Sequence, residues 1–128
     1  MNSPIERAVR TVLLVEDDAA IRASLSDILS DEGYHVLTAR NGREGIHMLT
    51  STREEVSVIL LDLMMPVMDG FAFRREQLLD PAIAGIPVIV LSADGRVSTK
   101  ASTMGANAAL QKPIHLDEML DAVVRFCG

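Results

Sequence analysis

Hydrophobic residues along this chain fall into five short runs, each followed by a stretch with helical spacing. The first run, Thr11-Val12-Leu13-Leu14-Val15, is continuous rather than alternating. That pattern predicts a strand buried on both faces. Ile21, Leu25, Ile28 and Leu29 then recur at helical spacing, and Gly33 is placed to cap the end of that helix. The second run is His35-Val36-Leu37-Thr38-Ala39, closed by Asn41-Gly42, and Gly45, Ile46 and Leu49 mark one face of a second helix. The third run, Val56 to Leu61, ends at Asp62. A loop from Met64 to Gly70 leads into a third helix carrying Phe71, Leu78 and Leu79. The fourth run is Val88-Ile89-Val90-Leu91-Ser92, and a weaker helix follows from about Arg96 to Met104, ended by Gly105. The fifth run, Ala108-Ala109-Leu110-Gln111, is short and poor in strand formers. Lys112-Pro113 closes it, and Leu116, Met119, Leu120 and Val123 lie on one side of a last helix.

Strands alternating with helices imply βαβ units and a mostly parallel sheet covered on both faces. The 128 residues, 48% hydrophobic and 23% charged, suit one globular domain. Residues 1–10 read as a loose N-terminal arm and residues 11–127 as the folded unit. A net charge of -6, with three Phe, one Tyr and no Trp, argues against direct nucleic-acid contact. Cys127 is the only cysteine, so no internal disulfide forms, which fits a reducing compartment. No apolar run reaches the length of a membrane span, and the N-terminus lacks the apolar stretch of a secretion signal. The chain is therefore expected to be soluble and cytoplasmic.

In an open α/β sheet, ligands bind beyond the carboxyl ends of the strands. The polar residues there are Glu16-Asp17-Asp18, Asp62, Ser92 and Lys112. Clustered carboxylates repel one another unless a cation sits among them. Oxygen donors without histidine or cysteine favour a hard ion, Mg²⁺ rather than Zn²⁺. A phosphoryl group bound there gains from that metal, from a lysine point charge and from a hydroxyl donor. The set therefore suits phosphoryl transfer, with Asp17 and Glu16 for the metal, Asp62 as nucleophile, and Ser92 and Lys112 for the phosphoryl oxygens.

The segments Leu13 to Asp18, Leu61 to Gly70 (with Met65-Pro66 and Asp69-Gly70), Leu91-Ser92-Ala93 and Gln111-Lys112-Pro113 together resemble the receiver domain of two-component response regulators. The resemblance runs from about Thr11 to Phe126. It implies a doubly wound, five-stranded parallel sheet in the order 2-1-3-4-5, flanked by five helices. It implies Asp62 as phosphoacceptor, Mg²⁺ held by Asp17, Asp62, Glu16 and the backbone carbonyl of Met64, and Ser92 and Lys112 at the phosphoryl group. The Lys112-Pro113 bond would be cis. The phosphoryl donor would be a histidine kinase or histidine phosphotransfer protein, and a downstream output protein or domain would read the switched state.

Two positions depart from the family's pattern. Ala109 stands where an aromatic side chain often reports phosphorylation, and Ile114 where Phe often follows the Lys-Pro pair. The alternative to a phosphorylated switch is a pseudo-receiver, an interaction module independent of phosphorylation. A small-molecule phosphatase fits less well, because Met64 occupies the position, two residues past Asp62, where such enzymes carry a general acid. His35, His47 and His115 have no metal-ligand spacing and read as structural or surface groups. Asp18 reads as a helix cap, Asp94 as a residue placed to tune phosphoryl lifetime, and Met64, Met65 and Met68 as a soft patch. The chain is compatible with a stand-alone receiver or with one unit of a longer regulator or hybrid kinase.

Overall fold

The computed structural model describes residues 9–127. Its elements are β1 (Thr11–Val15), α1 (Ala19–Asp31), β2 (His35–Ala39), α2 (Gly42–Ser51), β3 (Val56–Asp62), α3 (Gly70–Leu79), β4 (Val88–Ser92), α4 (Val97–Met104), β5 (Ala108–Gln111) and α5 (Leu116–Cys127). The five strands form one sheet, all neighbours parallel, in the order β2-β1-β3-β4-β5. The arm expected over residues 1–10 lies mostly outside the described residues; Val9 and Arg10 are exposed and precede β1.

Each strand sends successive side chains to opposite faces, so the continuous apolar runs build two cores. Leu13, Val15, Ile59 and Leu61 pack with Leu49 of α2, Phe73 of α3 and Ala101 of α4. Val12, Leu14, Leu60 and Leu91 pack with Leu25 and Leu29 of α1 and Met119 and Val123 of α5. Full burial of each large apolar side chain contributes about 1.5–3 kcal/mol. The edge strands β2 and β5 are only partly covered. That explains why they are the least apolar.

Side chains fix the helix starts. Asp18, Asn41 and Asp69 accept from the N–H groups of Ile21, Glu44 and Ala72 at 3.0, 2.9 and 2.9 Å, capping α1, α2 and α3. Gly33 follows α1 at φ +95°, and Gly105 ends α4 at φ +69°.

Two helix faces differ from the hydrophobic reading. In α3, Leu78 and Leu79 face solvent, and the buried residues are Phe73, Arg74 and Gln77. Phe73 sets this register by packing against Gly45 of α2. Arg74 and Gln77 are tolerated inside because their donors reach the carbonyls of Met104, Gly105, Ile83 and Ile86. In α5, Leu116 is exposed, and Met119, Val123 and Cys127 carry the packing. Among the described residues no helix is long and apolar enough to cross a membrane.

Candidate functional site

The chain leaves β1 outward to β2 and then crosses to β3, so strand order reverses between β1 and β3. A crevice forms at such a reversal, beyond the carboxyl ends of the strands. Here it is a cleft of about 330 Å³ lined by Glu16, Asp17, Asp62, Met64, Ser92 and Lys112, with Asp94 and Lys100 on its wall. All six residues expected from the sequence border this one cleft.

Glu16 follows β1 directly, its N–H bonded to the Ala39 carbonyl at 3.0 Å. Its side chain is fully buried, and Oε2 accepts the Asp18 N–H at 3.1 Å. Arg22, one turn into α1, donates through Nη1 to the carbonyls of Glu16 (2.8 Å) and Asp17 (3.4 Å) and so holds the acidic turn in place. Asp62, the last residue of β3, is also buried. Oxygen atoms of Glu16, Asp17 and Asp62 all lie within 4.8 Å of one another.

The loop after Asp62 is pinned tightly. Leu63 N–H donates to the Leu91 carbonyl and Gly70 N–H to the Leu63 carbonyl, at 3.2 and 2.9 Å. A Cβ on Gly70 would sit 2.6 Å from the Asp62 carbonyl oxygen, and one on Gly42 would sit 2.7 Å from Met68. Val67 holds φ at +69°, a left-handed conformation costly for a β-branched residue. Met64, Met65 and Met68 do not form one patch: Met64 is exposed, Met65 packs partly on the core and Met68 is buried against Gly42.

Lys112 enters from β5 with its N–H on the Ser92 carbonyl at 2.8 Å, and the Lys112-Pro113 bond is cis. Its Nζ lies 2.8 Å from Glu16 Oε1 and 3.4 Å from Asp62 Oδ2. The Glu16 contact is an ion pair outside hydrogen-bond geometry, so Oε1 is buried without a hydrogen bond. Burial, then the charge of Glu16, pushes the Asp62 carboxyl from 3.8 up to about 7, against the opposing pull of Lys112. Burial alone would lower the Lys112 ammonium, but Glu16 and Asp62 outweigh it and raise its pKa overall. Lys112 is therefore the cation paired with Glu16 and Asp62, and it faces more carboxylate than one charge can neutralise. An oxygen-only set of this kind, with one buried oxygen unsatisfied, fits Mg²⁺.

Ser92 is buried, and its Oγ accepts the Asp94 N–H at 3.1 Å. The histidines stand apart: His35, the first residue of β2, pairs with Glu54 at 2.8 Å at the opposite edge of the sheet, and none lines the cleft. A larger cavity of about 540 Å³ opens among Val56, Pro87 and Pro81, and it carries none of the strand-end chemistry. Arg22 and Lys100 were not singled out by sequence. Arg22 carries a usable signal, one helical turn after the capping Asp18, whereas Lys100 reaches Asp94 only through the turn into α4.

A family model for the response regulator receiver domain matches residues 12–124. The response regulator MprA of Mycolicibacterium vanbaalenii is 38% identical over 111 residues, covering 85% of this chain and 46% of that protein. The transcriptional regulatory protein GlrR of Escherichia coli is 37% identical over 115 residues, covering 88% of this chain and 25% of that protein. The chain thus spans half or less of the length of these curated relatives. Among solved structures, the chemotaxis response regulator CheY4 of Vibrio cholerae superposes with a TM-score of 0.84 at 31% identity, covering 93% of this chain and 99% of that one.

Proposed function

Because the chain belongs to the response regulator receiver domain family, we propose that it takes a phosphoryl group from a phosphohistidine partner onto Asp62 and switches conformation in response. The observation that carries this reading is the cluster of Glu16, Asp17 and Asp62 oxygens within 4.8 Å, with the Lys112 ammonium against two of them.

In this reading an Asp62 oxygen attacks phosphorus in line, an O–P bond forms, and the P–N bond to the donor histidine breaks. The imidazole leaves with the electron pair of that bond. Glu16, Asp17, Asp62 and the Met64 carbonyl would hold Mg²⁺. When bound, that ion offsets the carboxylate charge and draws in phosphoryl oxygens. Lys112, already charged and turned toward Asp62, follows the added charge of about -1.5 to -2. Ser92 offers its hydroxyl hydrogen to a phosphoryl oxygen, which shifts an existing balance between two conformations. Asp94 would influence how long the acyl phosphate survives. The residues act as a self-modifying switch rather than as an enzyme on small molecules. Nothing at the site supports the phosphorylation-independent alternative.

The proposed partners are a histidine kinase or histidine phosphotransfer protein upstream and an output protein or domain downstream, in the cytoplasm and without direct nucleic-acid contact. Residues 11–127 are proposed as the folding unit. Incubation with acetyl phosphate and Mg²⁺, followed by intact mass, tests the reading. A base-labile phosphate adduct in the wild type, absent from Asp62→Asn, supports it. No adduct in the wild type overturns it.

A further inference from the structure

We propose that Asp94 and Lys100 form a relay that carries movement of the Ser92 hydroxyl into the first turn of α4. The inference rests on the reading of Ser92 as a phosphoryl contact. Ser92 Oγ accepts the Asp94 N–H at 3.1 Å. The Asp94 carboxylate then reaches α4 twice: Oδ1 accepts the Arg96 N–H at 2.8 Å, and Oδ2 pairs with Lys100 Nζ at 2.7 Å. The Asp94 carbonyl accepts the Val97 N–H at 3.1 Å. One residue thus ties the buried hydroxyl to three positions at the start of the helix.

α4 depends on these contacts. Its N-cap residue, Arg96, makes no side-chain cap, and the Asp94 carboxylate instead fixes that residue from outside the helix by accepting its N–H. The helix has eight residues, and only Val97 and Ala101 are buried. Little apolar area holds it, and polar ties decide where its first turn sits. The far end is anchored separately. Arg74 of α3 donates to the carbonyls of Met104 and Gly105 at 3.2 and 2.8 Å, and Gln77 accepts from Arg74 at 2.8 Å. Arg74 is itself buried, so this end resists displacement.

When Ser92 Oγ turns toward a phosphoryl oxygen, the Asp94 N–H loses its acceptor. Asp94 shifts, and Lys100 and the Arg96 N–H shift with it, while Arg74 holds the carboxyl end of α4. This route passes through the turn after β4 and needs no aromatic side chain at Ala109. Lys100, half-buried on the cleft wall, is a positioning residue in this scheme.

The test compares the full chain with its Lys100→Gln and Lys100→Arg variants by backbone amide NMR, before and after acetyl phosphate and Mg²⁺, with intact mass recorded on each sample. Adduct should form in all three. In Lys100→Gln the amides of residues 96–101 should exchange with solvent about two- to fivefold faster before modification, the size expected for a lost, partly exposed ion pair. Their shift on modification should be largely lost, and Lys100→Arg should restore both. Adduct formation with a wild-type α4 response in Lys100→Gln overturns the relay. If the wild type forms no adduct, the phosphoryl reading fails, and the relay is judged on unmodified Ser92→Ala. That variant should shift the same α4 amides, and unshifted amides overturn it.

Discussion

The Lys112 ammonium lies 2.8 Å from a Glu16 oxygen that is buried and has no hydrogen bond. The pair ties the end of β5 to the end of β1, across β3 and β4. It also leaves Glu16 dependent on a single charge. Lys112→Met leaves Glu16 and Asp62 uncompensated in a buried setting and should destabilise the Mg²⁺-free protein by about 3 kcal/mol at pH 8. Urea unfolding checks this, and adding Glu16→Gln to the variant should recover part of the loss.

Asp62 makes stability depend on pH. Its carboxyl ionises at 3.8 ordinarily and at about 7 in the fold, chiefly through burial. Between those values the folded protein binds more protons than the unfolded chain, so stability falls as pH rises through the window. Acid thus favours the Mg²⁺-free fold over this range. Denaturant midpoints measured from pH 4 to pH 8 should decline in the wild type. Asp62→Asn should flatten the decline and be the more stable protein at pH 8, by roughly 2 kcal/mol.

Added Mg²⁺ should oppose that decline. At pH 8, with Asp62 ionised, a saturating ion at about 100 times its dissociation constant adds about 2.7 kcal/mol. At pH 5 protons compete for the same oxygens, and the gain should shrink. Asp17 is the exposed member of the cluster, so Asp17→Asn should lose most of the Mg²⁺-dependent rise in melting temperature with little change in the metal-free value.

The loop after β3 gives a steric test. Any side chain on Gly70 meets the backbone of Asp62 and Leu63 at 2.6 and 2.9 Å. Gly70→Ala should therefore cost about 2 kcal/mol or more and displace Asp62. Val67 is 82% exposed and held at φ +69°. Asn tolerates that conformation better, so Val67→Asn should stabilise the protein by about 1 kcal/mol. Thermal unfolding of the two variants should move in opposite directions.

The fold was legible because the central strands are buried on both faces, which leaves continuous runs such as Val56 to Leu61. The strand-end chemistry was legible because a parallel sheet brings every carboxyl end to one edge. The α3 face was not. Hydrophobicity favours Leu78 and Leu79, whereas Arg74 and Gln77 go inside to satisfy carbonyls from distant segments. The Asp94–Lys100 contact was hidden for a related reason. Its partners are six residues apart across a turn, a spacing that matches no helix or strand period. The three methionines look alike in sequence, but Gly42 selects Met68 alone for burial by leaving it room.

Residence of the phosphoryl group on Asp62 can be read directly. Borohydride reduction of the acetyl phosphate adduct converts a phosphorylated aspartate to homoserine, which peptide mass mapping locates. Conversion should occur at Asp62 and nowhere else, dependent on Mg²⁺. Conversion at Asp17 or at any other carboxylate, with Asp62 intact, contradicts that residence.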